Sequence, residues 1–200
     1  MSVHFFPYCK KIASAFANMT SELYFATRQD QPAVLSGYAF ATADTDMTPK
    51  AYTTWQQPLQ PHERINNHAI QQGGPIASYG RVLGDRTTLY KYLNPHLIAY
   101  SSFFDDGSNQ ASVNIMDSVS GSIVYQVLIE NVDAQKGIPV VLAENWMVFT
   151  YTEKSSTGKG GSGSRLVSVE LFEGVEDEKR QRSVIAQHVV FHITDMILDR

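Results

Sequence analysis

The sequence predicts an all-β protein that forms part of a β-propeller, with about three to four blades and little helix. Three observations support this fold class. Strand-like runs rich in β-branched and aromatic residues recur along the chain, as in Ile123-Val124-Tyr125. Turn signals and polar loops separate these runs, in the repeated order strand, loop, strand, turn, strand. A period of roughly 40–50 residues with several strands per unit is typical of propeller blades.

The elements can be assigned in chain order. Residues 1–20 are expected to be poorly ordered or to form one short helix. The first strands of successive units start at Leu23, Leu97 and Trp146. Their unequal spacing predicts an irregular insertion at 56–79, and the Gly/Ser-rich segment 154–164 predicts a flexible hairpin loop. No segment indicates a boundary, so 1–200 is interpreted as one domain. The predicted strands are 23–26, 33–40, 51–55, 97–103, 111–116, 122–129, 146–151, 166–172 and 188–193. Strand 97–103 is predicted to pair with 111–116 as a hairpin, and strand 146–151 with 166–172.

Composition excludes some classes of partner. Sixteen Lys and Arg against twenty Asp and Glu give a net charge of −4, without a basic block. A nucleic-acid binder would need a clustered positive surface, so no nucleic-acid partner is expected. The only cysteine is Cys9, which allows no internal disulfide. No apolar run reaches the roughly 18 residues of a membrane span. One N-glycosylation sequon occurs, at Asn18.

Motifs that could carry chemistry each fail at a required position. Gly158-Lys159-Gly160 lacks the Ser or Thr that follows the lysine of a phosphate loop. His188 and His192 would share one strand face, but no third metal ligand stands nearby. The segment 44–49 begins like a calcium loop, yet Pro49 occupies the position that needs glycine. We therefore predict no catalytic residue, no metal site, no cofactor and no small-molecule substrate, and hence no enzyme.

The segment 80–100, GRVLGDRTTLYKYLNPHLIAY, is the most specific motif in the chain. It resembles the "GRVLGDR…LYKYLNPNL" signature of the family formed by the first, largest subunit of the ER membrane protein complex. Three further runs keep that family's order. VNIMDSVSGSIV at 113–124 resembles "LIDGVTGRII", ENWMV at 144–148 resembles "SENWVVY", and LFEG at 171–174 resembles "LELYEG". These four segments are called the first to fourth signature runs below.

Two interpretations of the signature residues stay open. In the structural one, Gly80 and Gly84 give backbone freedom, and Asp85 pairs with two arginines to fix a turn. Asn94-Pro95 is a turn signal that places the next strand at Leu97. In the functional one, the residues form a docking surface for another protein. Trp146 is expected to be buried, because its strand alternates little. The residues concerned are Gly80, Arg81, Gly84, Asp85, Arg86, Lys91, Asn94, Pro95, Glu144, Asn145 and Trp146.

The resemblance implies a non-catalytic scaffold on the luminal side of the ER membrane, with blades of the WD40-like and quinoprotein-like type. Its partners would be other subunits of the complex, and its clients, reached indirectly, would be tail-anchored and multi-pass membrane proteins during insertion. Family members carry a signal peptide and a membrane anchor, which this sequence lacks, so we interpret it as a fragment. Two alternatives remain: a stand-alone propeller binding module, and a remnant of a quinoprotein-type dehydrogenase.

Overall fold

The computed structural model describes residues 9–30, 33–42, 49–154, 163–174 and 189–198. Antiparallel strands dominate these ranges. The elements are helix α1 (Lys10–Met19), a 3-10 turn (Thr20–Glu22), β1 (Tyr24–Asp30), β2 (Ala33–Thr42), β3 (Pro49–Pro58), β4 (Glu63–Ile70), β5 (Gly80–Val82), β6 (Thr88–Tyr90), β7 (Leu97–Phe104), β8 (Ala111–Asp117), β9 (Ile123–Ile129), a 3-10 turn (Ala134–Lys136), β10 (Val140–Ala143), β11 (Trp146–Thr152), β12 (Ser164–Glu173) and β13 (Val189–Leu198).

The chain divides into two compact units, 1–60 with 118–121, and 61–117 with 122–200. This differs from the single domain that the sequence predicted. The physical reason is visible in the strand pairing: within the described ranges, β1, β2 and β3 form a sheet of their own, in the order β1-β2-β3. The first unit therefore has a hydrogen-bonded sheet and a small core that are separate from those of the second.

The first unit packs α1 and an aromatic cluster on its three-stranded sheet. Cys9 caps the helix, since its Sγ accepts a hydrogen bond from the backbone N–H of Ile12. Phe16 meets Phe40 edge to face at 5.2 Å, and Phe25 stacks on Tyr38 at 4.9 Å between ring centroids. Such aromatic pairs add specific geometry to apolar burial. Of the two expectations for residues 1–20, a short helix therefore holds for Lys10–Met19, while 1–8 lie outside the described residues.

The described residues of the second unit form two four-stranded antiparallel sheets and one short hairpin. The strand orders are β4-β7-β8-β9 and β10-β11-β12-β13, and β5 and β6 form a two-stranded sheet. One hydrophobic core joins the two large sheets, with contributions such as Ala99 and Val113 from one sheet and Met147 and Val169 from the other. Four-stranded antiparallel sheets packed face to face are the architecture of propeller blades. The prediction of an all-β, propeller-type fold is confirmed.

The predicted hairpins are also confirmed. β7 pairs with β8 in the register Leu97 opposite Asp117, and β11 pairs with β12 in the register Trp146 opposite Glu170. Strand β8 alternates little in the sequence because every residue from Ala111 to Met116 is buried, whichever face it lies on. The sequence pattern and the burial of this strand therefore agree.

The prediction of an irregular insertion at 56–79 is wrong for its central part. Residues Glu63–Ile70 form β4, which pairs with β7 at the edge of the sheet and contains a bulge between Ile65 and Asn67. The sequence is rich in Asn and His because alternate side chains of this edge strand are exposed. The bulge also breaks the two-residue period on which the prediction depended.

Trp146 is not buried, contrary to the expectation from sequence: 45% of its surface is exposed. Strand β11 does alternate, with Met147 and Phe149 in the core. Trp146 lies on the opposite face of the sheet, and the register places Val141 of β10 and Met196 of β13 on that same face. All three side chains are exposed apolar groups. These three exposed residues define a surface that we call the outer face of the last sheet.

Candidate functional site

The first signature run forms the β5–β6 hairpin and the loop that follows it. The backbone N–H of Leu83 donates to the carbonyl of Thr87 at 2.8 Å and closes the hairpin. Asp85 Oδ1 accepts hydrogen bonds from the Thr87 hydroxyl at 2.6 Å and from the Thr87 backbone N–H at 3.0 Å. These bonds, the hydroxyl bond first, hold the pKa of Asp85 below its usual value.

The predicted pairing of Asp85 with two arginines is therefore corrected. Asp85 makes a local turn with Thr87, two residues away, which is the usual behaviour of aspartate in loops. Arg81 and Arg86 are exposed, and Arg86 adopts a positive φ of 70° within the turn. The first signature run consequently places two cationic side chains at the surface of the hairpin.

The two glycines of this run differ in their surroundings. A Cβ on Gly80 would lie 2.7 Å from Thr88 Cγ2 and 3.0 Å from the carbonyl oxygen of Leu89. Gly80 is thus required by close approach of the two strands. A Cβ on Gly84 would meet nothing within 4 Å. Close packing therefore explains the glycine at 80 but not the one at 84.

At the base of the hairpin, Lys91 connects the first and third signature runs. Its backbone N–H donates to the carbonyl of Tyr79 at 3.0 Å. Its ammonium group lies 2.9 Å from Glu144 Oε2, and both side chains are mostly buried. A pair of opposite charges at this distance keeps the two segments together and leaves little net charge at the base of the hairpin.

The third run forms the tight turn between β10 and β11. Glu144 has a positive φ of 49°, which is unusual for a residue other than glycine. Its carbonyl accepts a hydrogen bond from Gln71 Nε2 at 2.7 Å. Asn145 is buried, and its Nδ2 donates to the carbonyl of Leu171 at 3.0 Å. Hydrogen bonds with Gln71 and with Leu171 thus hold this turn in place.

Leu171 brings the fourth signature run to the same place. Its backbone N–H donates to the carbonyl of Asn145 at 2.7 Å, and its own carbonyl also accepts from the N–H of Tyr92 at 3.1 Å. Three runs that are far apart in sequence therefore meet in one hydrogen-bonded cluster, defined by Lys91, Tyr92, Glu144, Asn145 and Leu171. We call it the signature node.

Asn94 and Pro95 confirm the predicted turn before β7. The Oδ1 atom of Asn94 accepts a hydrogen bond from the backbone N–H of His96 at 2.9 Å. Asn94 Nδ2 lies 3.4 Å from the Tyr92 hydroxyl and 3.4 Å from Asp117 Oδ2. Asp117 belongs to the second run, and this contact with Asn94 brings that run close to the signature node.

An open groove lies beside the signature node, with a volume of about 380 Å³. Tyr79 and Tyr90 on its wall are more than half exposed. Sequence reasoning did not select the tyrosines or Gln71, because their proximity depends on pairing between distant segments. The groove is lined by Tyr79, Tyr90, Lys91, Tyr92, Leu93, Asn94, Pro95 and Glu173. We call it the tyrosine groove.

The other candidate residues are placed as follows. Asn18 is exposed near the end of α1. Gly158-Lys159-Gly160, the segment 44–48 and His188 lie outside the described residues. The described ranges contain no group of three or more His, Cys, Asp or Glu side chains arranged to hold a metal ion. In the same ranges, no helix has the length and apolar character needed to cross a bilayer.

The antiparallel sheets and their common core define a protein of the β-propeller class. The family model described as "ER membrane protein complex subunit 1, second beta-propeller" matches residues 1–194. The chain therefore belongs to this family, as the resemblance of the signature runs indicated.

Relatives from several organisms support the assignment. ER membrane protein complex subunit 1 of Schizosaccharomyces pombe is 38% identical over 117 residues, which cover 58% of this chain and 12% of that protein. The Gallus gallus protein of the same name is 26% identical over 176 residues, covering 86% of this chain and 17% of that protein. The Saccharomyces cerevisiae protein is 27% identical over 128 residues, or 64% of this chain and 16% of that protein. The matches thus span less than a fifth of each relative.

Proposed function

We propose that this chain acts as a non-catalytic scaffold portion of the ER membrane protein complex, on the luminal side of the membrane. Through the complex it would support the insertion of tail-anchored and multi-pass proteins. The β5–β6 hairpin and the tyrosine groove would form the surface on which other subunits dock. Family membership supports the placement within the complex. The docking surface is proposed from the structure.

One observation carries this proposal: the signature runs converge to support an exposed hairpin. The polar groups of Glu144, Asn145 and Lys91 are engaged with one another or with the backbone. The hairpin above them exposes Tyr79, Val82 and Tyr90, together with Leu83. Aromatic side chains and arginine are enriched in protein interfaces, and exposed apolar groups that lie together mark such sites. The polar residues thus supply support, and the apolar ones supply a contact surface.

The docking surface can be tested by purifying the complex from cells in which the endogenous gene carries an affinity tag. Replacement of Tyr79 and Tyr90 by Ser should reduce the amount of the other subunits recovered, because it removes aromatic contact area but no support of the node. Tyr52→Ser is the matched control, since Tyr52 is an exposed tyrosine on β3 in the other compact unit. Equal recovery of all subunits from both variants would contradict the proposed surface.

The insertion role needs a separate readout. In the same cells, membrane insertion of a tail-anchored reporter should fall in proportion to the loss of complex, whereas insertion of a reporter that uses another route should not change. Normal insertion of the tail-anchored reporter, despite loss of the other subunits from the variant, would contradict the supporting role.

The luminal placement can be tested at Asn18. This side chain is exposed, so a glycan could be attached without unfolding the helix. The tagged protein should lose mass on treatment with an endoglycosidase, and Asn18→Gln should abolish that part of the shift. A reporter for cytosolic exposure fused to the same segment would distinguish a luminal protein with an unused sequon from a cytosolic one. A cytosolic signal would overturn the placement.

A further inference from the structure

We propose that the tyrosine groove binds an arginine side chain presented by a partner protein. This inference names the partner chemistry of the docking surface and therefore rests on the proposed function. Three properties of the groove support it: an aromatic wall, a carboxylate among the lining residues and an open shape that suits a planar cation.

The aromatic wall comes from three tyrosines that different contacts hold in place. The carbonyl of Tyr79 accepts from the N–H of Lys91 at 3.0 Å, which fixes the end of the hairpin. Tyr90 is the last residue of β6 and lies opposite Gly80. The N–H of Tyr92 donates to the carbonyl of Leu171. These backbone contacts fix the positions on the chain from which the three tyrosines line the groove.

The charges around the groove favour a cation. Glu173 is an exposed carboxylate at the end of β12 and lines the groove. Lys91 also lines it, but the ammonium group of Lys91 lies 2.9 Å from the carboxylate of Glu144. Because this pair is close to neutral as a unit, Glu173 supplies the remaining charge among the residues that line the groove. Arg81 and Arg86 are exposed on the same hairpin but do not line the groove. Tyrosine rings present the negative face of their quadrupole to a cation, which acts in the same direction.

The shape of the groove favours a guanidinium group over a quaternary ammonium group. A trimethylammonium ion is usually held in a cage that surrounds it with ring faces. Here Tyr79 is 68% exposed and Tyr90 is 55% exposed, so the groove is open on one side. A planar guanidinium can stack on one ring and still direct two N–H groups to a carboxylate. Glu173 supplies that carboxylate.

The test is an NMR titration of the isotope-labelled 200-residue chain with a short blocked peptide that contains one arginine. The expected result is fast-exchange shifts of resonances at the groove with a Kd on the order of 1 mM, as is usual for a single exposed contact. The same peptide with citrulline has nearly the same shape without the charge, and it should bind at least about threefold more weakly. Tetramethylammonium is the third probe and should bind more weakly than the arginine peptide.

Two variants locate the site. Tyr90→Leu and Glu173→Gln should each weaken arginine binding about three- to fivefold, because one removes a ring and the other removes a charge. Tyr52→Leu and Glu130→Gln are matched controls at exposed positions outside the groove and should bind as the original chain does. Unchanged thermal unfolding shows that the variants are folded.

Equal binding of the citrulline and arginine peptides, or equal binding by the groove variants and the controls, would overturn the inference. Tighter binding of tetramethylammonium would overturn the choice of guanidinium. Such a failure would not refute the proposed function. Replacement of Tyr79 and Tyr90 by Ser could still reduce the recovery of other subunits in the purification. In that case the surface would bind a partner protein without recognising an arginine side chain.

Discussion

Trp55 provides the sharpest test of packing in the first unit. Its indole ring lies against two glycines of that unit: a Cβ on Gly37 would come within 2.0 Å of Nε1, and one on Gly121 would come within 2.6 Å of Cδ2. The indole N–H donates to the carbonyl of Ser118 at 2.8 Å. Trp55 is the cross-strand neighbour of Gly37, at the point where a bulge shifts the register of β2 and β3. A large aromatic side chain that covers a strand glycine is a known way to stabilise such a site.

We predict that Gly37→Ala lowers the free energy of unfolding of the first unit by about 2 kcal/mol, the middle of the range of about 0.5–4 kcal/mol to which the following terms sum. The new methyl group must displace the indole, and overpacking of this kind costs about 1–3 kcal/mol. Loss of the bond to Ser118 costs about 0.5–1.5 kcal/mol more. Reduced entropy of the unfolded chain returns about 0.4–1 kcal/mol, because alanine is less flexible than glycine. The net effect remains clearly destabilising.

The measurement is urea unfolding followed by tryptophan fluorescence. The chain has two tryptophans, so the experiment uses a Trp146→Phe background in which Trp55 is the only reporter. Gly84→Ala is the control for the change from glycine to alanine itself, since a Cβ there meets nothing within 4 Å and the residue has no positive φ. Because Gly84 lies in the second unit, this control is followed by circular dichroism. The control should change stability by less than about 0.5 kcal/mol.

A double-mutant cycle identifies the cause. In a Trp55→Ala background, followed by circular dichroism, Gly37→Ala should cost less than about 0.5 kcal/mol, because the clashing ring is gone. The reasoning is refuted if Gly37→Ala behaves like Gly84→Ala, or if its full cost persists without Trp55.

Three further predictions concern the second unit. Glu144→Ala should lower the free energy of unfolding by about 1 kcal/mol, because it removes the ion pair with Lys91. Glu144→Gly should lower it less, since glycine adopts the positive φ at this position without strain. Equal losses of stability in urea unfolding would refute this. Burial, with a smaller effect from Glu63, raises the pKa of Tyr100 to about 12, above its unfolded value near 10, so stability should fall as the pH rises from about 10 to about 12. Tyr100→Phe should reduce that fall, and an unchanged pH profile would contradict the assignment. Exposed apolar groups on the outer face of the last sheet should promote self-association of the isolated chain, and Trp146→Lys should raise its monomeric fraction in light scattering; a chain that is already monomeric would contradict this.

The sequence by itself determined the fold class and most of the strands. The sequence predicts a hairpin of residues 97–103 and 111–116 because a polar loop interrupts runs of β-branched and aromatic residues, and both signals are local. The order of the signature runs likewise indicated the family, since a motif is carried by residues that are close in sequence.

Strand β4 and the exposure of Trp146 were decided by the tertiary structure. β4 exists because β7 offers it an edge to pair with, and its polar, bulged sequence gives no sign of that edge. The run Trp146-Met147-Val148-Phe149 is apolar throughout, so composition could not show which face would meet the core. Packing between the two large sheets selected Met147 and Phe149.

The candidate site shows the same division. Its signature residues could be named from the sequence, but the contacts that unite them could not. Lys91 meets Glu144, and Leu171 meets both Asn145 and Tyr92, only because the strands bring distant turns together. The sequence alone determined which residues belong to the signature. Long-range strand pairing, which has no local pattern, decided that they support one hairpin and one groove lined with tyrosine.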